Sequence, residues 1–169
     1  MKFLVDQPLA GLAKWLRLGG FDAEVMNFSS HQRGLPPPET GRHLLTRQNK
    51  YRQPPREDIL ILEANDPKDQ LAEVFRRLNL SRQDLAPLSR CGECNDLLVP
   101  VPREQVLGLV PDHVFQTQAE FFQCPRCRRV YWPGSHQARI WAELDQVIPE
   151  QSGGRQNSTS SRKGAPHGV

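Results

Sequence analysis

The stretch KFLVDQPLAGLAKWLRLGGFDAEVM, residues 2–26, decides the fold of this chain. Its opening apolar run predicts a short buried strand that ends at Asp6. Pro8 suits the first turn of a helix, and apolar residues then recur at helical spacing as far as Leu16. Two glycines end this helix, and the next apolar pair predicts a second strand around Val25. This stretch therefore predicts a strand, a helix and a second strand in sequence.

Further strands and a further helix are predicted as the chain continues. Short apolar runs at 44–45 and 59–62 have the character of buried strands. Asp66 and Pro67 begin a helix whose apolar residues share one face. Strands that alternate with helices indicate an α/β unit with a mostly parallel sheet covered on both faces. Ligands of such sheets bind beyond the carboxyl ends of the strands, so Asp6 is either a candidate metal ligand or a helix cap.

All four cysteines of the chain stand in two C-x-x-C pairs, at Cys91 and Cys94 and at Cys124 and Cys127. Each pair places two thiolates on one tight turn, and two such turns complete a tetrahedral site for zinc. Two disulfides would instead suit a secreted chain, but no signal peptide opens this sequence. A redox dithiol would need only one pair. We therefore predict a structural zinc site and a reducing, cytoplasmic setting.

The chain divides into an α/β part, a cysteine-bearing part and a tail. Residues 1–80 hold the predicted strands and helices, and residues 88–141 hold the cysteine pairs. Residues 152–169 lack core-forming side chains, which predicts a flexible, disordered tail. The net charge of +3 excludes a histone-like polycation, so contact with nucleic acid depends on local basic clusters. We expect no association with membranes, because no apolar run approaches about 18 residues.

Three separated stretches resemble the Mut7-C proteins. The opening strand and helix carry FLVD at 3–6 and GLAKWLR at 11–17, and LLTR follows at 44–47. The cysteine-bearing part adds FFQCPRC at 121–127 and VYWPGSH at 130–136. The resemblance implies a PIN-like parallel sheet with flanking helices, followed by a small β-rich zinc ribbon. It also implies cleavage of RNA with Mg²⁺ or Mn²⁺ held by several carboxylates.

The acidic residues of that family are only partly present. Asp6 matches the first family acid, whereas Gln48 stands where the family has an aspartate. The family's helix that carries a second acid has no counterpart, because three prolines at 36–38 forbid a normal crossover helix. Glu39 is the substitute that joins Asp6 as a candidate catalytic residue. Three further acids are conceivable substitutes: Asp58, Glu63 and Asp66.

Basic residues are the candidates for contact with nucleic acid. They lie on the first helix, after the third strand and on the second cysteine turn: Lys14, Arg17, Arg47, Lys50, Arg126 and Arg128. Phosphate contacts beside the ring of Tyr51 would suit single-stranded RNA, although the same loop can equally be a solvated, proline-broken segment. For Trp132 we favour packing within the small cysteine-bearing part. For His136 we favour a surface or packing role, because four thiolates already satisfy zinc.

Two hypotheses for the function follow. The first is a metal-dependent ribonuclease whose acidic site around Asp6 is eroded. The second is a catalytically inactive module that binds RNA or protein through the zinc ribbon and the basic loop. Gln48 favours binding, because a neutral amide is a poor ligand for Mg²⁺. Convergence of Asp6 with two other carboxylates within about 4–6 Å would favour hydrolysis.

Overall fold

The computed structural model describes residues 1–29, 35–134, 138, 142–146 and 148. The helices and strands are, in chain order, β1 (Lys2–Asp6), α1 (Ala10–Leu18), β2 (Asp22–Met26), β3 (Arg42–Thr46), β4 (Ile59–Ile61), α2 (Pro67–Arg77), β5 (Val99–Val101), α3 (Asp112–Thr117), β6 (Phe121–Gln123) and β7 (Val130–Tyr131). Among these helices, none combines the length and the apolar composition that crossing a membrane requires. The predicted tail and His136 lie outside the described residues.

The first four strands form a parallel sheet in the order β2-β1-β3-β4. Phe3 of β1 lies opposite Ala23 of β2 on one side and His43 of β3 on the other. Parallel neighbours need a crossover connection, which α1 supplies between β1 and β2. The predicted α/β class with a parallel sheet and flanking helices is confirmed. Because β1 is an inner strand, its last residue, Asp6, lies at the carboxyl edge of the sheet between two neighbours.

Both α1 and α2 pack on one face of this sheet. Leu12 and Leu16 of α1 are buried in one core cluster with Leu71 and Phe75 of α2. Burying one such side chain contributes roughly 1.5–3 kcal/mol, so this cluster carries much of the stability of the unit. The opposite face is covered by a smaller cluster around Phe28 that includes no residue of α1 or α2. The two covers of the sheet therefore differ: helices on one side, loop residues on the other.

The last three strands form a separate antiparallel sheet in the order β5-β6-β7. Its core is small and consists of Val106, Val110, Val114 and Phe121. Trp132 packs against this cluster, in agreement with the packing role predicted for it. A core of this size supplies little stability by itself, which makes a cross-link between the cysteine turns valuable.

Residues 81–87, which connect the two sheets, pack against the end of α1. The Ala86 N–H donates to the carbonyl oxygen of Gly19 at 2.9 Å. Gly20 has a φ of +93°, and a Cβ at this position would collide with the Ala86 carbonyl group. Only glycine accepts this backbone conformation and this close approach without strain. The connector is therefore held against the first sheet, and the boundaries at 80 and 88 stay a prediction.

Candidate functional site

The first candidate site is centred on Asp6, at the carboxyl end of β1. Its side chain is buried, with 1% exposed. The chain then enters a short 3-10 turn, Gln7–Leu9, in which Pro8 stands near the first position. The Asp6 carboxylate makes no capping hydrogen bond to this turn. The side chain therefore does not act as a helix cap and is free to interact with the neighbouring strand ends.

Three donors hold the Asp6 carboxylate. The Thr46 hydroxyl donates to Oδ2 at 2.7 Å, and the side-chain amide of Gln48 donates to the same oxygen at 2.6 Å. The backbone N–H of Phe28 donates to Oδ1 at 3.2 Å. Thr46 ends β3 and Phe28 follows β2, so the two strands beside β1 both contribute. Hydrogen bonds to a charged group are worth about 1.5–3 kcal/mol each, and together they stabilise the buried carboxylate.

The orientation of the Gln48 amide is fixed by a second partner. Ser29 Oγ donates to Oε1 of Gln48 at 3.0 Å, which leaves Nε2 to face Asp6. The backbone N–H of Gln48 also donates to Thr46 Oγ1 at 3.2 Å. Sequence reasoning recognised Gln48 only as a missing carboxylate. Nothing in the local pattern reveals that its amide reaches back to β1, because that contact depends on the pairing of β1 with β3.

An open cleft of about 520 Å³ adjoins Asp6. It is lined by Asp6, Gln7, Pro8, Asn27, Ser29 and Gln48. Both oxygens of the Asp6 carboxylate already accept hydrogen bonds, and the NH₂ group of Gln48 points at Oδ2, where a cation would bind. In the part of the chain that the structure describes, no group of three His, Cys, Asp or Glu ligands includes Asp6. The donor set beside Asp6 therefore does not fit Mg²⁺ or Mn²⁺.

The structure does not bring Glu39 to Asp6. Glu39 precedes β3, whose first residue, Arg42, lies opposite Lys2 at the start of β1. Glu39 is therefore at the amino edge of the sheet, and Asp6 is at the carboxyl edge. A five-residue strand separates these edges by roughly 13 Å. Glu39 forms an ion pair with Arg42 at 2.6 Å instead.

The other conceivable acids have partners of their own. Asp66 caps α2 by accepting a backbone N–H of its first turn at 2.8 Å. Asp58 lies 2.7 Å from Arg56, and this hydrogen bond holds the pKa of Asp58 below its usual range. Glu63 is exposed and lies 3.6 Å from Arg52. None of these contacts directs a carboxylate towards Asp6.

The second candidate site is the cluster of the four cysteines Cys91, Cys94, Cys124 and Cys127. Their Sγ atoms all lie within 4.8 Å of one another, and all four are free thiols. The Sγ atoms of Cys91 and Cys127 are 3.7 Å apart. A tetrahedral zinc ion with bonds of about 2.3 Å separates its sulfur ligands by about 3.8 Å. The donor set and its spacing therefore fit zinc.

Hydrogen bonds give the thiols different pKa values. The backbone N–H of Arg129 lowers the pKa of Cys127 to about 7. The hydrogen bond with Cys127 raises the pKa of Cys94 to about 12. A divalent ion binds thiolates, so metal binding at this cluster would release the thiol protons. The Tyr131 hydroxyl lies 3.1 Å from Cys91 Sγ. Sequence reasoning missed this contact, because a sequence pattern does not show whether an aromatic ring only packs or also makes a hydrogen bond.

Lys14 and Arg17 of α1 contact the first cysteine turn. Lys14 Nζ lies 2.6 Å from Oε1 of Glu93. The Arg17 guanidinium donates to the carbonyl oxygen of Glu93 at 2.8 Å and to that of Gly92 at 3.3 Å. Its Nε donates to the carbonyl oxygen of Ala23 in β2 at 2.8 Å. Both residues lie off the apolar face of α1. Such a position suits a cation that contacts RNA as well as one that contacts another part of the same chain, so the sequence alone could not distinguish these roles.

Asn95, which follows the first cysteine turn, covers the outer edge of β2. Its Oδ1 accepts the Ala23 N–H at 3.0 Å, and its Nδ2 donates to Oδ1 of Asp22 at 2.7 Å. Together with Arg17, it satisfies both backbone groups of Ala23, as a neighbouring strand would. Asn95 has a φ of +67°, which asparagine tolerates better than most residues. The cysteine turn is therefore docked on the edge of the parallel sheet.

Arg47 and Lys50 lie at the same edge of the sheet as Asp6. Arg47 directly follows β3 and is exposed. Lys50 is in the next 3-10 turn, with Nζ 4.9 Å from the centre of the Tyr51 ring. The Tyr51 ring packs on Phe28, and its hydroxyl donates to the Phe28 carbonyl oxygen at 3.0 Å. Tyr51 is thus held by the fold, and the two cations are the exposed groups.

On the second cysteine turn, Arg126 and Arg128 differ in their contacts. Arg126 Nε lies 2.7 Å from Oδ2 of Asp96, so this ion pair joins the two cysteine turns. Arg128 has a φ of +64°, and its N–H donates to the carbonyl oxygen of Cys124 at 3.0 Å. Its own carbonyl oxygen accepts from the Gln123 amide at 3.0 Å. The backbone of Arg128 closes the turn, and its side chain is exposed.

Comparison with known proteins assigns a family. The model of the Mut7-C RNAse domain matches residues 1–144, which contain both Asp6 and the four cysteines. The chain belongs to the Mut7-C RNAse domain family. No curated protein and no solved structure shows a significant match. Membership of the Mut7-C family suggests a ribonuclease, with RNA as the substrate.

The two candidate sites of this Mut7-C chain are not equally complete. The structure brings together all four cysteines that the sequence singled out. It places Asp6 among neutral donors, with Gln48 in direct contact. The cysteine cluster has the chemistry of a metal centre, whereas the Asp6 cleft has the chemistry of a polar binding site at the edge of a parallel sheet.

Proposed function

We propose that this Mut7-C protein binds single-stranded RNA along the carboxyl edge of its parallel sheet, beside Asp6. The observation that carries the proposal is the position of Arg47 and Lys50, which are exposed at the same edge as the Asp6 cleft. Ammonium and guanidinium groups that line a path beside a polar cleft suit a phosphate backbone. The family assignment supports RNA as the nucleic acid.

The surroundings of the two cations support this path. Among the described residues, neither Arg47 nor Lys50 forms an ion pair, and the Lys50 ammonium group lies over the ring of Tyr51. The cleft beside Asp6 is lined by side-chain amides and a hydroxyl, which can donate to and accept from ribose and base edges. Binding by such groups does not require a fixed sequence, so we expect broad recognition of single strands.

Replacing both cations should weaken RNA binding. The double variant Arg47→Ala/Lys50→Ala removes two phosphate contacts, and we expect the affinity for a labelled single-stranded RNA to fall roughly tenfold, the equivalent of about 1.4 kcal/mol. The slope of log affinity against log salt should fall by about 1.4 as well, at 0.7 for each contact. Fluorescence anisotropy over a salt series measures both quantities.

The matched control is Lys2→Ala, which removes an exposed cation from the opposite edge of the same sheet. It should leave the affinity and the salt slope unchanged. Equal losses in the control and the double variant would mean that RNA binding follows net charge and not this edge, and the proposal would be wrong.

A second candidate function is hydrolysis of RNA. The family assignment favours it, together with the position of Asp6 at the carboxyl end of an inner strand. On this candidate, the purified protein cleaves single-stranded RNA in a buffer that contains Mn²⁺, although the donors beside Asp6 do not fit this ion, and Asp6→Asn abolishes the cleavage. Gel analysis of end-labelled RNA measures it. Equal cleavage by wild type and Asp6→Asn would identify a contaminating nuclease and remove this candidate.

We also propose that Cys91, Cys94, Cys124 and Cys127 hold one structural zinc ion. This ion stabilises the fold and takes no part in the cleavage of RNA. Their number, their free thiols and the 3.7 Å spacing of two sulfur atoms support this role. When bound, zinc cross-links the two turns of a module whose apolar core is small.

A further inference from the structure

We propose that the side-chain amide of Gln48 takes the place that a divalent cation would need beside Asp6, so that the cleft keeps its shape and holds RNA without such an ion. Only the part about RNA rests on the proposed function. The part about the cation rests on the geometry at Asp6 alone.

The first step of the argument is the occupation of the carboxylate. Gln48 Nε2 lies 2.6 Å from Oδ2 of Asp6, and the Thr46 hydroxyl lies 2.7 Å from the same oxygen. The other oxygen accepts from the Phe28 N–H at 3.2 Å. A cation bound to Oδ2 would have to displace the amide, because an NH₂ group and a positive ion repel each other at this distance.

The second step is the anchoring of the amide. Ser29 donates to Oε1 of Gln48, and the Gln48 backbone donates to Thr46. Turning the amide so that Oε1 faces Asp6 would break the bond from Ser29 and would set two acceptors against each other. Displacement would also leave a donor without its charged partner, which is unfavourable.

The third step is the charge of the cleft. Mg²⁺ dehydrates reluctantly and is held by carboxylates together with phosphate oxygens. Among the described residues, a single carboxylate faces three donors, and the rest of the cleft lining is neutral: Gln7, Pro8, Asn27, Ser29 and Gln48. The site offers one negative charge, and three neutral hydrogen-bond donors already occupy its oxygens. RNA held by Arg47 and Lys50 therefore needs no ion at Asp6.

The experiment compares thermal unfolding with and without millimolar Mg²⁺ at matched ionic strength. Mg²⁺ is chosen because thiolates do not bind it well, so the cysteine cluster does not interfere. The wild-type midpoint should not move. Gln48→Asp should unfold at a lower temperature without Mg²⁺, because two carboxylates then face each other. Mg²⁺ should raise its midpoint by about 3 °C or more, as expected for a gain of about 1 kcal/mol in a chain of this size.

The matched control is Gln48→Ala, which removes the amide without adding a charge. It should unfold at a lower temperature than wild type, and it should not respond to Mg²⁺, because the single carboxylate of Asp6 is too little to hold the ion. A wild-type midpoint that rises with Mg²⁺ would overturn the proposal. So would a folded Gln48→Asp protein that ignores Mg²⁺, because a carboxylate in place of the amide would then not complete a cation site at Asp6.

Two further measurements keep the test decisive. If Gln48→Asp does not fold, the NMR signals of the Gln48 side-chain NH₂ in wild type answer the question: they should not shift as Mg²⁺ is added, and a saturable shift would overturn the proposal. RNA affinity should be equal with and without Mg²⁺, and loss of binding on removal of Mg²⁺ would contradict metal independence. Absence of RNA binding in both conditions would refute the proposed function, and the unfolding comparison would still decide the role of Gln48.

Discussion

Cys91→Ser is expected to release bound zinc and to unfold the module of β5, β6 and β7, with a loss of several kcal/mol in the free energy of unfolding. Cys91 is fully buried, and its sulfur lies 3.7 Å from that of Cys127 on the other turn. A serine hydroxyl is a poor replacement for a thiolate ligand, and the core of this module is small. Metal content per chain and the thermal unfolding midpoint measure the effect.

The same change should also reach the parallel sheet. The N–H of Ala23 donates to Asn95, and the carbonyl oxygen of Ala23 accepts from Arg17, which is itself bonded to the first cysteine turn. When the turn loses its order, the outer edge of β2 loses these partners. Hydrogen exchange at the Ala23 amide should therefore become faster in Cys91→Ser. The Leu44 amide, which donates to the backbone carbonyl oxygen of Asp58 at 2.7 Å, should stay protected.

Arg126→Ala is the matched control on the cysteine turns. It removes an exposed ion pair with Asp96 but no sulfur ligand, and exposed pairs contribute about 0–1 kcal/mol. The control should keep its zinc and its protection at Ala23. Soluble, folded wild-type protein without zinc would refute the metal assignment. Unchanged hydrogen exchange at Ala23 in zinc-free Cys91→Ser protein would show that the order of the cysteine turn does not protect the edge of the sheet.

The sequence predicts those features that depend on local pattern. The strand that ends at Asp6, the following helix and the apolar pair Leu44-Leu45 all lie where the periodicity placed them. The convergence of the cysteines also follows from the sequence, because two C-x-x-C turns in one small module are typical of a shared zinc site. In each case the signal lies within a few residues.

The remaining features depend on contacts between distant residues. Arg17 is basic and lies off the apolar face of α1, which is the pattern of a surface cation that contacts RNA. Its partners Gly92 and Glu93 are on a turn about 75 residues further along the chain. Likewise, the sequence shows Gln48 only as the loss of a ligand, because its contact with Asp6 depends on the pairing of β1 with β3. Its amide then becomes a donor to Asp6, which no local pattern encodes.

Asp6→Ala is expected to lower the free energy of unfolding by about 3 kcal/mol. The substitution leaves the Thr46 hydroxyl, the Phe28 N–H and the Gln48 amide without their acceptor. Thr46 is fully buried and Phe28 nearly so, so water cannot replace the carboxylate at every donor. Each buried donor without a partner costs about 1–3 kcal/mol, and the partly exposed Gln48 costs least. Urea unfolding followed by far-UV circular dichroism measures the change.

Asp6→Asn provides the comparison that separates hydrogen bonding from charge. Its carbonyl oxygen can still accept from one or two of the donors, and the Gln48 amide can turn to accept from the new NH₂ group. We expect a loss of about 1 kcal/mol, well below that of Asp6→Ala. Equal losses in the two variants would show that the charge of Asp6, and not its capacity to accept, stabilises the fold. In that case a bound cation would be the natural partner of Asp6, and the role inferred for Gln48 would be wrong.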